Sequence, residues 1–238
     1  MKKTLGCIRK ADQDFNLINE DDRILIGVSG GKDSLLLLHA LSLYRKFTHK
    51  RFTLFAATVD NGIGHPDYSE IEALCDSLDI PYTVEKTQIG EIIFDYRKEK
   101  NPCALCAKMR RAVLAKLCNQ FNCGKLALGH HREDAVETFL LSLLYEGRFH
   151  TFHPLTTLSR TGVTVIRPLV YLPESHVVHM QKTLGLPVLV SPCPANGKTE
   201  RKAMEELLRE LRVKYPDVTD RILHALCHEP YDLWQKTR

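Results

Sequence analysis

The stretch from Arg23 to Leu41 constrains the fold of this chain more than any other. A short β-rich apolar run, RILIGV at 23–28, breaks at Ser29-Gly30-Gly31-Lys32-Asp33-Ser34 and resumes as LLLLHAL at 35–41. Strand, glycine turn and buried helix in that order predict a βα unit. The alternation then repeats. A second strand is expected at 52–59, ending at Asp60-Asn61-Gly62, and a helix at 68–78 carries Ile71, Leu74, Cys75 and Leu78 at helical spacing. A third strand follows at 81–84. A helix starting at Asn101-Pro102-Cys103, with Asn101 as N-cap, should run to Asn122, with Gly124 as its stop. Further strands fit 125–129 and 163–169. A helix from about 133 shows Val136, Phe139, Leu140, Leu143 and Leu144 as its apolar stripe, and a charged amphipathic helix fits 200–215.

Strands alternating with helices predict an α/β fold, a doubly wound and mainly parallel sheet of the Rossmann-like kind with helices on both faces. Such sheets bind ligands at the carboxyl ends of their strands. Three polar clusters fall there: Ser29 to Ser34, Asp60-Asn61-Gly62, and Gly129-His130-His131. There is no internal repeat or low-complexity tract. The expected parts are an N-terminal segment (1–20), the nucleotide-binding domain (21–195) and a C-terminal helical segment (196–238).

Of 238 residues, 44% are hydrophobic and 26% charged, the balance of a globular protein and not of a disordered one. Charged residues interrupt every apolar run, which excludes a membrane span, and Met1 to Phe15 lacks the apolar core of a secretory signal. A cytoplasmic protein is expected. The net charge of +4 is too mild to demand a nucleic-acid partner. Its distribution is more telling, because Lys108, Arg110 and Arg111, and then Lys198, Arg201, Lys202, Arg209, Arg212 and Lys214, concentrate around two segments. Solvated helix faces and a polyanion surface both fit that pattern.

The glycine loop can hold an anion. Gly30 and Gly31 let backbone N–H groups approach a phosphate, the following helix start adds its dipole, and Lys32, Ser29 and Ser34 add donors. It is not the common G-x-x-x-x-G-K-[ST] cradle: Ile26 replaces the first glycine, and Asp33 stands where Ser or Thr should follow Lys32. A carboxylate beside phosphate repels it unless a cation intervenes, so Asp33 points to Mg²⁺ or to an orienting role.

Eight cysteines in a cytosolic chain are ligands, catalysts or core residues before they are disulfides. Cys103 and Cys106 in PCALCAKMRR lie on one face of a helical first turn, where the helix N-terminus and a nearby Arg favour the thiolate. A zinc half-site, a redox pair and chance core thiols all fit a lone C-x-x-C. Cys118 lies about 18 Å further along the same helix and cannot share a metal with the pair. Cys75 sits on an apolar stripe and reads as core; Cys7, Cys123 and Cys227 have no motif. Cys193, between Pro192 and Pro194 after the strand-like run 187–190, suits a preordered ligand or a plain loop cysteine.

With these motifs together, a family resemblance is visible. SGGKDS after a hydrophobic strand resembles the PP-loop of the N-type ATP pyrophosphatases, proteins of the adenine nucleotide alpha hydrolase-like fold. The resemblance implies that Val28, Ser29, Gly30, Gly31, Lys32, Asp33 and Ser34 hold ATP, with Asp60 near its adenosine part and Gly129 also at the nucleotide, and that cleavage releases pyrophosphate. The ordered set SGGKDS, PCALCAKMRR, LGHHREDAVETFLLSLLYEGR, VIRPLVYLPE and NGKTERKAMEELLRELRVKYP, over residues 20–215, is similar to the tRNA 2-thiocytidine synthetase family. That similarity implies a [4Fe–4S] cluster on Cys103, Cys106 and Cys193, and catalytic-site roles for Ser29, Asp33, Arg110 and Asp134, the last near ATP and Mg²⁺. It also implies tRNA as substrate and a sulfur donor, either a cysteine desulfurase system or sulfide, and it allows a homodimer. Other readings remain at this stage. They are a lysidine-synthetase-like enzyme that leaves the cysteines idle, a small-molecule synthetase of the same fold, and a non-catalytic ATP- or RNA-binding relative.

Overall fold

The computed structural model describes residues 1–98, 102–195 and 200–228. Asn101 and Lys198, singled out above, lie outside the described residues. The chain forms two compact units. Among the described residues, the first spans 1–98, 102–131 and 153–195; the second comprises 132–152 and 200–228.

The first unit is built on a six-stranded sheet. Its strands are β1 (Asp22–Gly27), β2 (Phe52–Asp60), β3 (Tyr82–Lys86), β4 (Lys125–Ala127), β5 (Leu155–Thr157) and β6 (Thr164–Ile166), in the spatial order β3-β2-β1-β4-β6-β5. All neighbours are parallel except β5, which pairs antiparallel to β6 at the edge. β1 is central, flanked by β2 and β4, and in it Ile24, Leu25 and Ile26 are all fully buried. Because successive side chains point to opposite faces, three buried residues in a row require cover on both sides. Leu25 packs into a cluster with Leu114, Leu117 and Cys118 of α5 (Pro102–Gln120), which forms one layer. Helix α2 (Lys32–Phe47) buries four consecutive leucines, Leu35 to Leu38, each at about 1.5–3 kcal/mol of favourable transfer.

Around this frame stand α1 (Lys2–Phe15), α3 (Ser69–Ser77), the short α4 (Ile89–Glu91), which continues into a π-helical turn at Ile92–Tyr96, and α7 (Glu174–Leu184). α1 and α7 both pack against α2. Two ionic anchors fix the amino end of the sheet. Lys125 is buried, with Nζ 2.6 Å from Asp22 Oδ2 and 2.7 Å from the Leu17 carbonyl. Asp12, also buried, accepts from Tyr44 Oη at 3.0 Å, Lys50 Nζ at 2.9 Å and the Ile18 amide at 2.8 Å.

The second unit consists of α6 (Arg132–Glu146), α8 (Glu200–Lys214) and α9 (Val218–His228). Val136, Phe139 and Leu140 of α6 and Met204 and Leu208 of α8 form its core. Leu144, expected on the buried stripe of α6, is 56% exposed because that stripe ends one turn earlier. No helix among the described residues is long and apolar enough to cross a membrane.

The expected strand at 163–169 contracts to Thr164–Ile166, and Pro187 to Val190 form no strand. They run instead as an extended segment whose Leu189 amide bonds to the Gly30 carbonyl at 2.9 Å. Leu189 packs at Gly30 of the glycine loop, while Val188 and Val190 are exposed. α1, α7, the π-helical turn and β5 stand outside the elements expected from the sequence.

Candidate functional site: a nucleotide loop beside three cysteines

Strand order reverses at β1, since the chain moves from it to β2 and β3 on one side and then to β4 on the other. Ligands bind where such a reversal leaves a crevice between loops. The loops after β1 and β4 carry Ser29 to Ser34 and Gly129-His130-His131.

The first loop is tightly organised. Ser34 Oγ donates to the Gly31 carbonyl at 2.9 Å and accepts from the Ser29 amide at 3.1 Å, while Ser29 Oγ lies 3.2 Å from Ser34 Oγ. Gly31 caps α2, and Gly30 has φ of +79°, a region that favours glycine. A Cβ on Gly30 would meet the Leu189 side chain at 3.0–3.1 Å. The result is a backbone cradle at a helix N-terminus, the geometry that binds phosphate. Lys32 Nζ lies 3.1 Å from Asp33 Oδ1 and 3.1 Å from Oε1 of Glu174, the first residue of α7. Burial pushes the Lys32 pKa down, but the two carboxylates together outweigh it, so the net shift is upward and the ammonium stays charged.

The second loop presses directly on the first. A Cβ on Gly129 would meet the Asp33 carbonyl carbon and oxygen at 2.9 Å and the Ser34 amide nitrogen at 3.0 Å. Beside it His131 is buried, and its Nε2 lies 3.6 Å from Asp33 Oδ1. This contact gives His131 a place at the loop that its sequence position alone left open.

Two cavities adjoin this assembly. One, of about 240 Å³, is walled by Ser29, Gly31, Thr58, Asp60 and Tyr68 among others. Val28 meets Thr58 beside this wall, its carbonyl accepting from Thr58 Oγ1 at 2.8 Å. The other, of about 290 Å³, is walled by Cys103, Cys106 and Cys193 with Ile93, Phe94 and Gly90. Asn61, Ile63, Arg110, Ser191 and Cys193 line both. Arg110 is half-buried, and its Nε has no hydrogen-bond partner. Pro192 packs close to Gly64 of the β2–α3 loop, which holds the Cys193 strap against that side of the site.

The three thiols thus meet at one cavity, though 87 residues separate Cys106 from Cys193. At Cys103 and Cys106 the direction of the pKa shift is opposite to the sequence expectation. Burial pushes Cys103 up, and the neighbouring Cys193 adds to it. Burial also pushes Cys106 up, and the opposing pull of Arg110 is the smaller effect. The helix start and the Arg therefore do not produce free thiolates; a bound metal would have to displace the protons. Among the described residues, no three His, Cys, Asp or Glu side chains are gathered tightly enough for one metal ion. A single zinc needs its sulfurs about 2.3 Å from one point, whereas a cluster of several irons spreads its ligands around a cavity. The donor set, three thiols around one cavity, fits the larger group. Cys75, Cys118 and Cys123 are buried and stand apart from it, Cys7 lies near the Tyr171 carbonyl, and Cys227 is exposed.

In the second unit, Asp134 of α6 pairs with Arg201 at 3.5 Å, and Arg201 also lies 3.5 Å from Glu137. Arg212 bonds Glu133 at 3.2 Å, and Lys202 pairs with Glu205 at 2.8 Å. Much of the basic charge noted in this part of the sequence is therefore compensated by acids of the same unit. Glu174 was missed altogether. The Pro173-Glu174 start of α7 was a visible helix signal, but nothing in the sequence ties it to Lys32, 142 positions earlier.

A family model described as a PP-loop domain matches residues 5–214. The chain is 38% identical over 230 residues to the tRNA-cytidine(32) 2-sulfurtransferase of Geobacter metallireducens, covering 95% of this chain and 90% of that protein. It is likewise 38% identical to the enzyme of that name from Anaeromyxobacter dehalogenans, covering 95% and 79%. Among solved structures, the U34-tRNA thiolase NcsA from Methanococcus maripaludis with its [4Fe–4S] cluster matches with a TM-score of 0.78 at 24% identity, covering 94% of this chain and 76% of that one. The NH3-dependent NAD synthetase from Campylobacter jejuni matches with a TM-score of 0.51 at 18% identity, covering 92% and 86%. These likenesses place the sheet among the adenine nucleotide alpha hydrolase-like folds, and with the matched domain and the 38% identity over almost its whole length, the chain belongs to the PP-loop family and, within it, to the tRNA-cytidine(32) 2-sulfurtransferases.

Proposed function

We propose that the protein is an ATP-dependent tRNA sulfurtransferase that converts a tRNA cytidine to 2-thiocytidine. The observation that carries this reading is the shared wall of the two cavities: Asn61, Arg110 and Cys193 border both the nucleotide loop and the three thiols. A base activated in one would meet sulfur delivered in the other without leaving the site.

ATP binds with its pyrophosphate portion on the cradle of Ser29 to Ser34, its adenosine towards Val28 and Asp60, and Gly129 backing the loop. Mg²⁺ arrives with the nucleotide, and Asp33 supplies the oxygen ligand that hard cations prefer. The resemblance implies a role near ATP and Mg²⁺ for Asp134, which pairs with Arg201 of its own unit. The C2 oxygen of the cytidine attacks the α phosphorus, and the bond to the β-phosphate oxygen breaks. The loop amides and Lys32 stabilise the departing pyrophosphate as preorganised donors. Sulfide then adds at C2 and AMP leaves with the former C2 oxygen, which balances the exchange. Arg110 is placed to neutralise charge at the adenylated base. Cys103, Cys106 and Cys193 would hold a [4Fe–4S] cluster, which when bound would carry the donor's sulfur to C2.

The substrate is tRNA, met through phosphate contacts that weaken with salt. The sulfur donor is a cysteine desulfurase system or sulfide, the place of action is the cytoplasm, where tRNA is modified, and a homodimer is the assembly we propose to test. The lysidine-like and non-catalytic readings leave the convergence of the three thiols without a purpose. The decisive experiment is nucleoside mass spectrometry of tRNA from cells with and without the gene. Loss of 2-thiocytidine on deletion is expected; an unchanged level would refute the assignment.

A further inference from the structure

Asn61 carries a polar atom that the fold leaves unused. Its backbone is pinned on both sides. The Asn61 carbonyl accepts from the Gly90 amide at 2.7 Å, and the Asp60 carbonyl before it accepts from the Thr87 amide at 2.9 Å and from Thr87 Oγ1 at 2.7 Å. Asp60 Oδ1 closes the turn by accepting from the Gly62 amide at 2.9 Å. The side-chain oxygen of Asn61, in contrast, is buried without a hydrogen-bond partner. A buried acceptor left unpaired is costly, and in a cavity wall it calls for a ligand that satisfies it. Asn61 borders both cavities, as do Ile63, Arg110, Ser191 and Cys193. Ser191 Oγ accepts from the Cys193 amide at 3.4 Å, whereas Arg110 Nε lacks a partner just as Asn61 Oδ1 does. Among the described residues, the shared wall thus holds one buried acceptor and one buried donor without partners.

We infer that Asn61 is a specificity-determining residue that accepts a hydrogen bond from the exocyclic amino group of the target cytosine. The inference rests on the thiolation reading above and adds the group that chooses the base. The pyrimidine has to reach both cavities, because its C2 oxygen meets ATP in one and its C2 carbon meets sulfur in the other. The adenosine of ATP has no such need of the thiol side. With C2 and its oxygen engaged in the reaction, N3 and the amino group remain for recognition, and a base taken out of its stack is read along that edge. Cytosine presents an amino donor and an N3 acceptor there, the complement of Asn61 Oδ1 and Arg110 Nε. Uracil presents O4 and N3–H, which would set acceptor against acceptor and donor against donor. An amide flipped end for end would offer a donor and favour uracil instead, whereas Asn61→Asp offers an acceptor in either orientation.

The test is a cycle between protein and base. tRNA is assembled by ligation to carry, at the modified position, either cytidine or its analogue without the amino group (the pyrimidin-2-one ribonucleoside). Each is incubated anaerobically with iron-loaded protein, Mg–ATP and sulfide, and kcat/KM for thiolated RNA is compared among wild type, Asn61→Ala and Asn61→Asp. Thermal midpoints confirm that each is folded, and the KM for ATP is recorded alongside. Wild type should lose about 10- to 100-fold without the amino group, as a site built around a hydrogen bond requires. Asn61→Ala should treat the two RNAs alike within about threefold at an unchanged KM for ATP, and Asn61→Asp should keep the wild-type preference. If Asn61→Ala still lost about tenfold or more without the amino group, or if wild type were indifferent to it, the inference would be overturned. Loss of the preference in Asn61→Asp would make Asn61 a donor and overturn it equally. Asn61→Ala inactive on both RNAs, or with a raised KM for ATP, would assign Asn61 to activation or to nucleotide binding, again against the inference. Failure of wild type to thiolate cytidine would instead strike the proposed function itself.

Discussion

Replacing Gly129 with alanine tests whether the loops after β1 and β4 must touch. The added Cβ would stand 2.9 Å from the Asp33 carbonyl carbon and oxygen and 3.0 Å from the Ser34 amide nitrogen. Those are backbone atoms, so no side chain can swing aside. Gly129 is not among the glycines with positive φ, so alanine fits its backbone conformation and the clash is the whole effect. Relieving it means parting the two loops by about half an ångström or more, and overpacking of this kind costs about 1–3 kcal/mol. The Asp33–Ser34 peptide that must move is part of the phosphate cradle. Displacements approaching 1 Å at a reacting centre cost up to about 100-fold in rate. Urea unfolding should therefore show a loss of about 1–3 kcal/mol, and tRNA-dependent AMP formation should fall at least tenfold. Gly124→Ala is the control, because nothing lies within 4 Å of a Cβ there. If Gly129→Ala matched Gly124→Ala in both assays, the contact between the loops would carry no functional weight.

Cys193→Ser should abolish iron binding during anaerobic reconstitution while leaving ATP binding intact, whereas Cys118→Ala, in the α5 core, should keep the iron and lower stability by about 1–2 kcal/mol. Lys125→Met leaves Asp22 without its 2.6 Å partner and should cost about 3 kcal/mol in urea unfolding. Tyr44 is pushed up to about 12, chiefly by burial and then by the Asp12 carboxylate it bonds. Its folded pKa thus exceeds the unfolded value near 10, so its contribution is complete below pH 10 and is lost as pH rises from 10 towards 12. Wild type should lose up to about 3 kcal/mol more than Tyr44→Phe across that window.

What the sequence disclosed followed from the strength of its local signals. Ile24 to Val28, the glycines and Leu35 to Leu38 read directly as strand, loop and buried helix, because an apolar run covered on both faces is visible without its partners. The α1 helix was hidden because its buried face is Thr4, Ile8, Ala11 and Asp12, spaced correctly but half polar. Only the structure shows that Asp12 is compensated by Tyr44 and Lys50. β5 is three residues long, and its burial alternates weakly at the sheet edge. At the site, the individual parts were legible and their relations were not. Cys103, Cys106 and Cys193 were recognisable as candidates, but the wall they share with Asp60's cavity is a tertiary fact. Glu174 lay beyond sequence reasoning for the same reason, as did the burial that raises the two helix thiols, at Cys106 against the pull of Arg110.

The central claim, that one chamber activates the cytidine oxygen with ATP and exchanges it for sulfur, is tested most directly by tracing that oxygen. Iron-loaded protein, Mg–ATP, sulfide and tRNA carrying ¹⁸O at the cytidine C2 position would be incubated anaerobically, and AMP analysed by mass spectrometry. The account predicts one ¹⁸O in the phosphate of AMP for each 2-thiocytidine formed. Thiolated tRNA accompanied by unlabelled AMP, or by ADP in its place, would contradict it.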